Sequence, residues 1–261
     1  MYRDRPIPDM TEARLRRKGA RAHPLHLNTQ ENCEDYVDAR AHFIAGENYY
    51  YREDNPPYFQ RAESAIPQLY VRSGILARLT RVNAILGEYG FELYLHDAYR
   101  PIELQNYYHD VWVPNYLRTL HPEWSTEQIA DETGTYWGKG APSADMVDPY
   151  SPPLHSTGAV VDTTMRSLET GELADMGSPF DDINSISFVD HFEVEARNRS
   201  LSSSHMRALE HRRILYWAMT ESGFVVNPNE WWHFGYGDQL SAKLSGAPHA
   251  LYSFLRLAKE H

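Results

Sequence analysis

The chain has 261 residues, 42% of them apolar and 23% charged, a balance that fits a soluble globular protein and excludes a disordered one. With 25 basic against 36 acidic side chains the formal charge is −11, which repels a phosphate backbone and argues against nucleic acid as a partner. A single cysteine, Cys33, excludes an internal disulfide and any thiolate-rich metal centre, whereas 13 histidines leave imidazole ligation open.

Residues 1–22 run against the net charge, with Arg3, Arg5, Arg14, Arg16, Arg17, Lys18 and Arg21 facing only Asp4, Asp9 and Glu12. The expectation is a basic N-terminal arm over 1–30, solvated or touching a second copy in a homo-oligomer, ahead of one catalytic domain over 31–261. No run of 18 apolar residues exists and no apolar leader opens the chain, so a cytoplasmic protein away from membranes is expected. The Tyr-rich stretch 31–60, broken by Pro56 and Pro57, reads as irregular structure packed on the main body.

Ile75, Leu79, Val82 and Leu86 recur at 4-3-4 spacing, which predicts a helix over 73–90 with Ser73 as its cap and Gly90 at its end. Phe91, Leu93 and Leu95 then alternate with polar neighbours as in a half-buried strand. The strand runs into His96-Asp97-Ala98-Tyr99-Arg100-Pro101. Pro101 opens a second helix, which puts Arg100 at a strand-to-helix junction. Residues 121–153, rich in Pro, Gly, Ser and Asp, read as a long surface excursion bordering a cleft. A strand of small and β-branched residues follows over 158–165, then a turn-rich segment over 171–182. A helix is predicted over 204–220, with Ala208, Ile214, Leu215, Ala218 and Met219 as its apolar stripe, and a short aromatic strand over 231–235. Helices and strands do not alternate as βαβ units. The expected class is therefore α+β, a mainly antiparallel central sheet with helices packed on it and a metal in a cleft.

Two segments carry the chemistry. In His155-Ser-Thr-Gly-Ala-Val-Val-Asp162, Gly158 lets a loop imidazole and a strand carboxylate meet at one point. In Glu230-Trp-Trp-His233, a third imidazole or carboxylate lies three residues from another acid. His155, Asp162 and His233 together make three ligands and leave a fourth position for water, the pattern of a catalytic zinc ion. Glu230 then suits a general base, provided it sits in the turn before the strand, since positions three apart in a strand point to opposite faces. Arg100 supplies a fixed guanidinium for the oxyanion of a tetrahedral intermediate.

Taken in order, HDAYRP, the HxxGxxxD pattern at 155–162, GELADMGSPFDD and EWWHF resemble the zinc D-alanyl-D-alanine dipeptidases. That family includes the dipeptidase of vancomycin resistance and is related in fold to D,D-carboxypeptidases and the hedgehog signalling domain. The resemblance implies one Zn²⁺ per chain held by His155, Asp162 and His233, Glu230 as catalytic base, and Arg100 as the group that stabilises the transition state. It further implies Asp181 as the acid that meets the free amino group of a small dipeptide, most simply D-Ala-D-Ala. Two departures stand out. The family's serine two residues before the first zinc histidine is here Pro153, and its N-terminal tyrosine motif is echoed only loosely over Tyr36–Gly46. Pro153 keeps open a D,D- or L,D-carboxypeptidase acting on peptidoglycan fragments, and hedgehog-type domains keep open a non-catalytic zinc-binding module. A narrow cavity that admits only short peptides is expected.

Overall fold

Residues 1–257 are described in the computed structural model. Their elements run α1 (Thr11–Arg16), β1 (Tyr36–Asp38), β2 (Ala45–Gly46), β3 (Tyr70–Arg72), α2 (Ser73–Gly87), β4 (Phe91–Asp97), α3 (Ile102–Tyr107), α4 (Val113–Leu120), α5 (Thr126–Tyr136), β5 (Val160–Ser167), α6 (His191–Asn198), α7 (Ser203–Glu221), β6 (Val225–Val226), β7 (His233–Gly235) and α8 (Gln239–Ser245). The main sheet has the order β2-β4-β5-β7-β6. Its β2–β4 pair is parallel and its other pairs are antiparallel, while β1 and β3 form a separate antiparallel pair. The α+β class with a mainly antiparallel sheet is thus the architecture that forms.

Apolar spacing explains the helices that back the sheet. The predicted stripe Ile75, Leu79, Val82 and Leu86 is fully buried in the main core, each side chain contributing about 1.5–3 kcal/mol by leaving water. α2 lies against β4, and α7 packs on α2, its Ile214, Leu215, Ala218 and Met219 in the main core while Ala208 packs with Phe192 of α6. β5 is the central strand, and its first six residues are buried, so it reads as a continuous apolar and small run rather than an alternation.

Three regions differ from expectation. Ser73 does not cap α2: it lies inside the helix, and Glu34, from a distant loop, accepts from the Gly74 N–H at 2.8 Å. The excursion 121–153 contains α5, opened by a reciprocal capping box in which Gln128 N–H donates to Ser125 Oγ and Ser125 N–H to Gln128 Oε1. Only Ile129 and Thr133 of that helix are buried, so its apolar periodicity is too sparse to announce it. The N-terminal arm is built into the body rather than standing off it. Ile7 joins the main core, its N–H donates to Glu193 Oε1 at 2.8 Å, and the Met10 N–H donates to Asp190 Oδ2 at 2.8 Å. The division expected at residue 30 therefore coincides with no break in packing. No helix among the described residues is long and apolar enough to cross a membrane.

Candidate active site

The sheet register builds the centre of the site. Asp97 at the end of β4 pairs with Asp162 of β5, and Asp162 pairs with His233 of β7. Cross-strand partners point to the same face, so three chemistry-bearing side chains form one row across three strands. A bulge at His96 makes this possible. The register shifts between Leu95 and Asp97, which turns Asp97 to the face that Asp162 and His233 share.

His155 arrives from outside the sheet, on a short 3₁₀ turn that Gly158 closes at φ +69°. A Cβ there would lie 2.8 Å from Leu255 Cδ2, a side-chain end that can shift, so it is the left-handed conformation that favours glycine. His155 Nδ1 lies 2.9 Å from the Ala98 carbonyl oxygen and 3.4 Å from Asp97 Oδ2, both acceptors, so its proton is on Nδ1. Nε2 then carries a lone pair. It faces His233 Nδ1 at 3.3 Å and Asp162 Oδ2 at 3.4 Å, and His233 Nδ1 is 3.3 Å from Asp162 Oδ1.

His155 Nε2, His233 Nδ1 and the Asp162 carboxylate form a buried cluster with nearest distances of 3.3–3.4 Å, Oδ2 facing His155 and Oδ1 facing His233, and such a set of donors favours a cation among them. A tetrahedral ion with bonds of about 2.0–2.1 Å has ligand edges of about 3.3–3.4 Å, so these nearest distances are on the scale of a divalent metal site. Asp162 Oδ1 finds no hydrogen-bond partner among the described residues, as a metal ligand should. Burial raises the pKa of the Asp162 carboxyl, but the His155 and His233 imidazoles outweigh it and hold the group well below the usual carboxylate range. These residues could hold a divalent metal ion.

Glu230 occupies the turn before β7, as its geometry requires, with Oε2 3.2 Å from His233 Nδ1. Arg100 lies between β4 and α3, buried, with Nε donating to Asp97 Oδ2 at 2.9 Å, Nη2 lying 3.2 Å from Asp162 Oδ2, and Nη1 donating to Gln105 Oε1 at 3.2 Å. The Trp137 ring covers the guanidinium at 4.4 Å. Burial disfavours the charged guanidinium, but Tyr50 and the surrounding carboxylates raise its pKa further than burial lowers it. Asp181 stands apart from the row. Its backbone is left-handed at φ +58°, and its Oδ2 accepts from Tyr50 and Tyr58 hydroxyls, each at 2.7 Å. Burial, helped by the Asp162 charge, pushes this carboxyl up to about 7 against Arg100 and the two hydroxyls. The loop that carries it is pinned by buried Arg212, which donates to the carbonyls of Met176, Ile186 and Phe188, each at 2.8 Å.

All six expected residues line one cavity of about 540 Å³. It is a volume for a drug-sized ligand rather than a narrow dipeptide slot, so the cavity is roomier than expected. Pro153 lines it, as does the segment from Thr135 to Gly138, so the excursion borders the site as predicted. Sequence reasoning missed Tyr50, Tyr58, Trp137 and Gln105. None had a spacing signal, since their segments meet only in the fold. Tyr36, the loose echo of a family motif, instead sits in β1, with its ring against Tyr70. Asp97 forms an ion pair with Arg100 and also flanks His155 Nδ1.

The Peptidase_M15 family, described as D-ala-D-ala dipeptidase, matches residues 68–250. The chain is similar to a D-alanyl-D-alanine dipeptidase of Synechocystis sp., 31% identical over 182 residues, which cover 66% of this chain and 71% of the relative. It is also similar to proteins of the same name from Enterococcus faecium, 26% identical over 62% of this chain and 70% of the relative, and Streptomyces coelicolor, 32% identical over 61% and 69%.

Proposed function

Because the chain belongs to the Peptidase_M15 family of D-Ala-D-Ala dipeptidases, a family of metallopeptidases, we propose that it hydrolyses D-Ala-D-Ala with one zinc ion held by His155, Asp162 and His233. The observation that carries this reading is the convergence of two buried imidazoles and one buried carboxylate, with nearest atoms 3.3–3.4 Å apart and a glutamate beside them. Zinc bound there supplies a Lewis acid and lowers the pKa of water to about 7.

The protein's own groups do the rest. Glu230 takes a proton from water as the water oxygen attacks the peptide carbonyl, then gives it to the leaving amide nitrogen as the C–N bond breaks. Arg100 lies against the oxygen that gains negative charge. Asp97, Asp162 and Trp137 fix its guanidinium in place before reaction, so little reorganisation is needed when charge develops. Asp97 and the Ala98 carbonyl also hold the His155 ring in its ligating tautomer. Asp181 meets the substrate ammonium. A carboxyl poised near 7 ionises when a cation is brought against it, and the Tyr50 and Tyr58 hydroxyls keep its oxygen aimed.

A second reading, a carboxypeptidase acting on longer peptidoglycan fragments, is favoured by the 540 Å³ cavity. One experiment separates the two. Protein stripped by a chelator should be inactive, and equimolar zinc should restore D-Ala-D-Ala cleavage at a kcat/KM well above that for a pentapeptide ending in D-Ala-D-Ala. Preference for the pentapeptide would favour the carboxypeptidase. Activity that survives complete metal removal would end the metallopeptidase account.

A further inference from the structure

The expected substrate is a zwitterion, and the site described so far meets only one of its ends. Asp181 provides a carboxylate for the ammonium. Nothing yet assigned receives the carboxylate at the other end, whose burial without a cation would be unfavourable.

The cavity is lined by Arg17, Lys18, Arg21 and Arg100 as well as by the metal-ligand residues. Arg100 faces Asp97 and Asp162. Arg21 gives its Nε and both terminal nitrogens to the carbonyls of Ser151 and Lys139. Lys18 is exposed at the rim. Arg17 is different. It is half-buried, and among the described residues it forms no ion pair. Its Nη2 donates to the Thr135 carbonyl at 2.7 Å. With the Asn229 amide turned so that its oxygen faces the guanidinium, that oxygen accepts from Nε at 3.2 Å and from Nη2 at 2.9 Å. These contacts leave both N–H groups of Nη1 without a described acceptor, while the rest of the guanidinium is held in place.

Arg17 is also well placed. Its anchor Asn229 is the neighbour of Glu230, whose carboxylate touches His233. Asp181 is linked through Tyr50 to Arg100 instead. Arg17 is thus tethered next to Glu230 and Asp181 next to Arg100, on separate attachments within the one cavity. The arm that carries Arg17 is fixed by Arg14, which pairs with buried Asp190 at 2.7 Å, and by Ile7 in the core.

We infer that Arg17, supplied by the N-terminal arm outside the family-matched stretch 68–250, binds the terminal carboxylate of the substrate and sets the preference for a free C-terminus. The inference rests on the dipeptidase reading. The test compares zinc-loaded wild type, Arg17→Gln and Arg17→Lys on D-Ala-D-Ala and on its C-terminal amide. Wild type should prefer the acid by on the order of 10- to 100-fold in kcat/KM, the scale of a charge-assisted hydrogen bond. Arg17→Gln should collapse that preference to within about threefold, its loss on the acid falling mainly on KM, and Arg17→Lys should recover part of it. Wild type that cleaves both substrates equally overturns the inference even if the variants fail to fold, and so does Arg17→Gln with the wild-type ratio. Wild type that cleaves neither substrate overturns the dipeptidase reading, and this inference with it.

Discussion

Asp162 and His233 project from register partners on β5 and β7, and Asp97 continues their row onto β4. Asp181, Tyr50, Tyr58 and Arg17 come instead from separate stretches of loop and arm, brought together by side-chain hydrogen bonds and by the anchoring of each stretch to the core. The first group has its geometry set by the backbone ladder, so a few residue types at fixed spacing suffice to encode it. The second depends on distant anchors such as Arg212 and Asp190. In the function proposed above, this becomes a division of labour: the sheet positions the bond-breaking chemistry and the loops select what is broken.

The largest effect should come from the sheet side. Glu230→Gln should keep its metal and lose at least about 10²–10⁴-fold in kcat, because it removes the proton carrier without removing a ligand. Near-normal turnover in a zinc-loaded variant would mean that the turn before β7 does not supply the base, and the division would dissolve.

The loop side should respond more mildly and with a pH signature. Asp181→Asn keeps the left-handed backbone that asparagine tolerates, and it should raise KM for D-Ala-D-Ala by about tenfold or more. In the metal-free protein the same variant sharpens the contrast through stability. The Asp181 carboxyl titrates near 7 in the fold and near the ordinary 3.8 when unfolded. Between those values the unfolded chain has released its proton and the folded chain has not, so wild-type stability falls as pH rises through that window. The gain in Tm of Asp181→Asn over wild type should therefore grow from pH 4 to pH 8. A difference independent of pH would show that Asp181 is not held neutral by its surroundings.

This contrast also explains what the sequence could tell. His155, Asp162 and His233 were legible because a metal cluster needs particular donors, Glu230 because an acid stands three residues from one of them, and Gly158 marked the turn between two of the donors. The helix stripes of α2 and α7 were legible from periodicity. The bulge at His96 was not, since nothing in Leu95-His96-Asp97 distinguishes a shifted register from a regular one. Tyr50, Tyr58 and Arg17 were not legible as site residues either. An aromatic in a Tyr-rich stretch or an arginine in a basic arm has no local feature that sets it apart, and its role follows only from what the fold places opposite it. The basic charges of the arm point to a solvated or subunit-contacting segment, while its buried apolar residues, Ile7, Met10, Ala20 and Leu25, are too scattered to form a pattern.

The claim under everything else is that two imidazoles and one carboxylate share a single ion. X-ray absorption at the zinc edge on the loaded protein addresses it directly, with His155→Ala measured alongside. The account predicts one zinc per chain with two nitrogen and two oxygen scatterers at about 2.0–2.2 Å, and loss of the bound ion in the variant. A sulfur neighbour, a closed shell of four protein ligands, or full zinc occupancy in His155→Ala would contradict it.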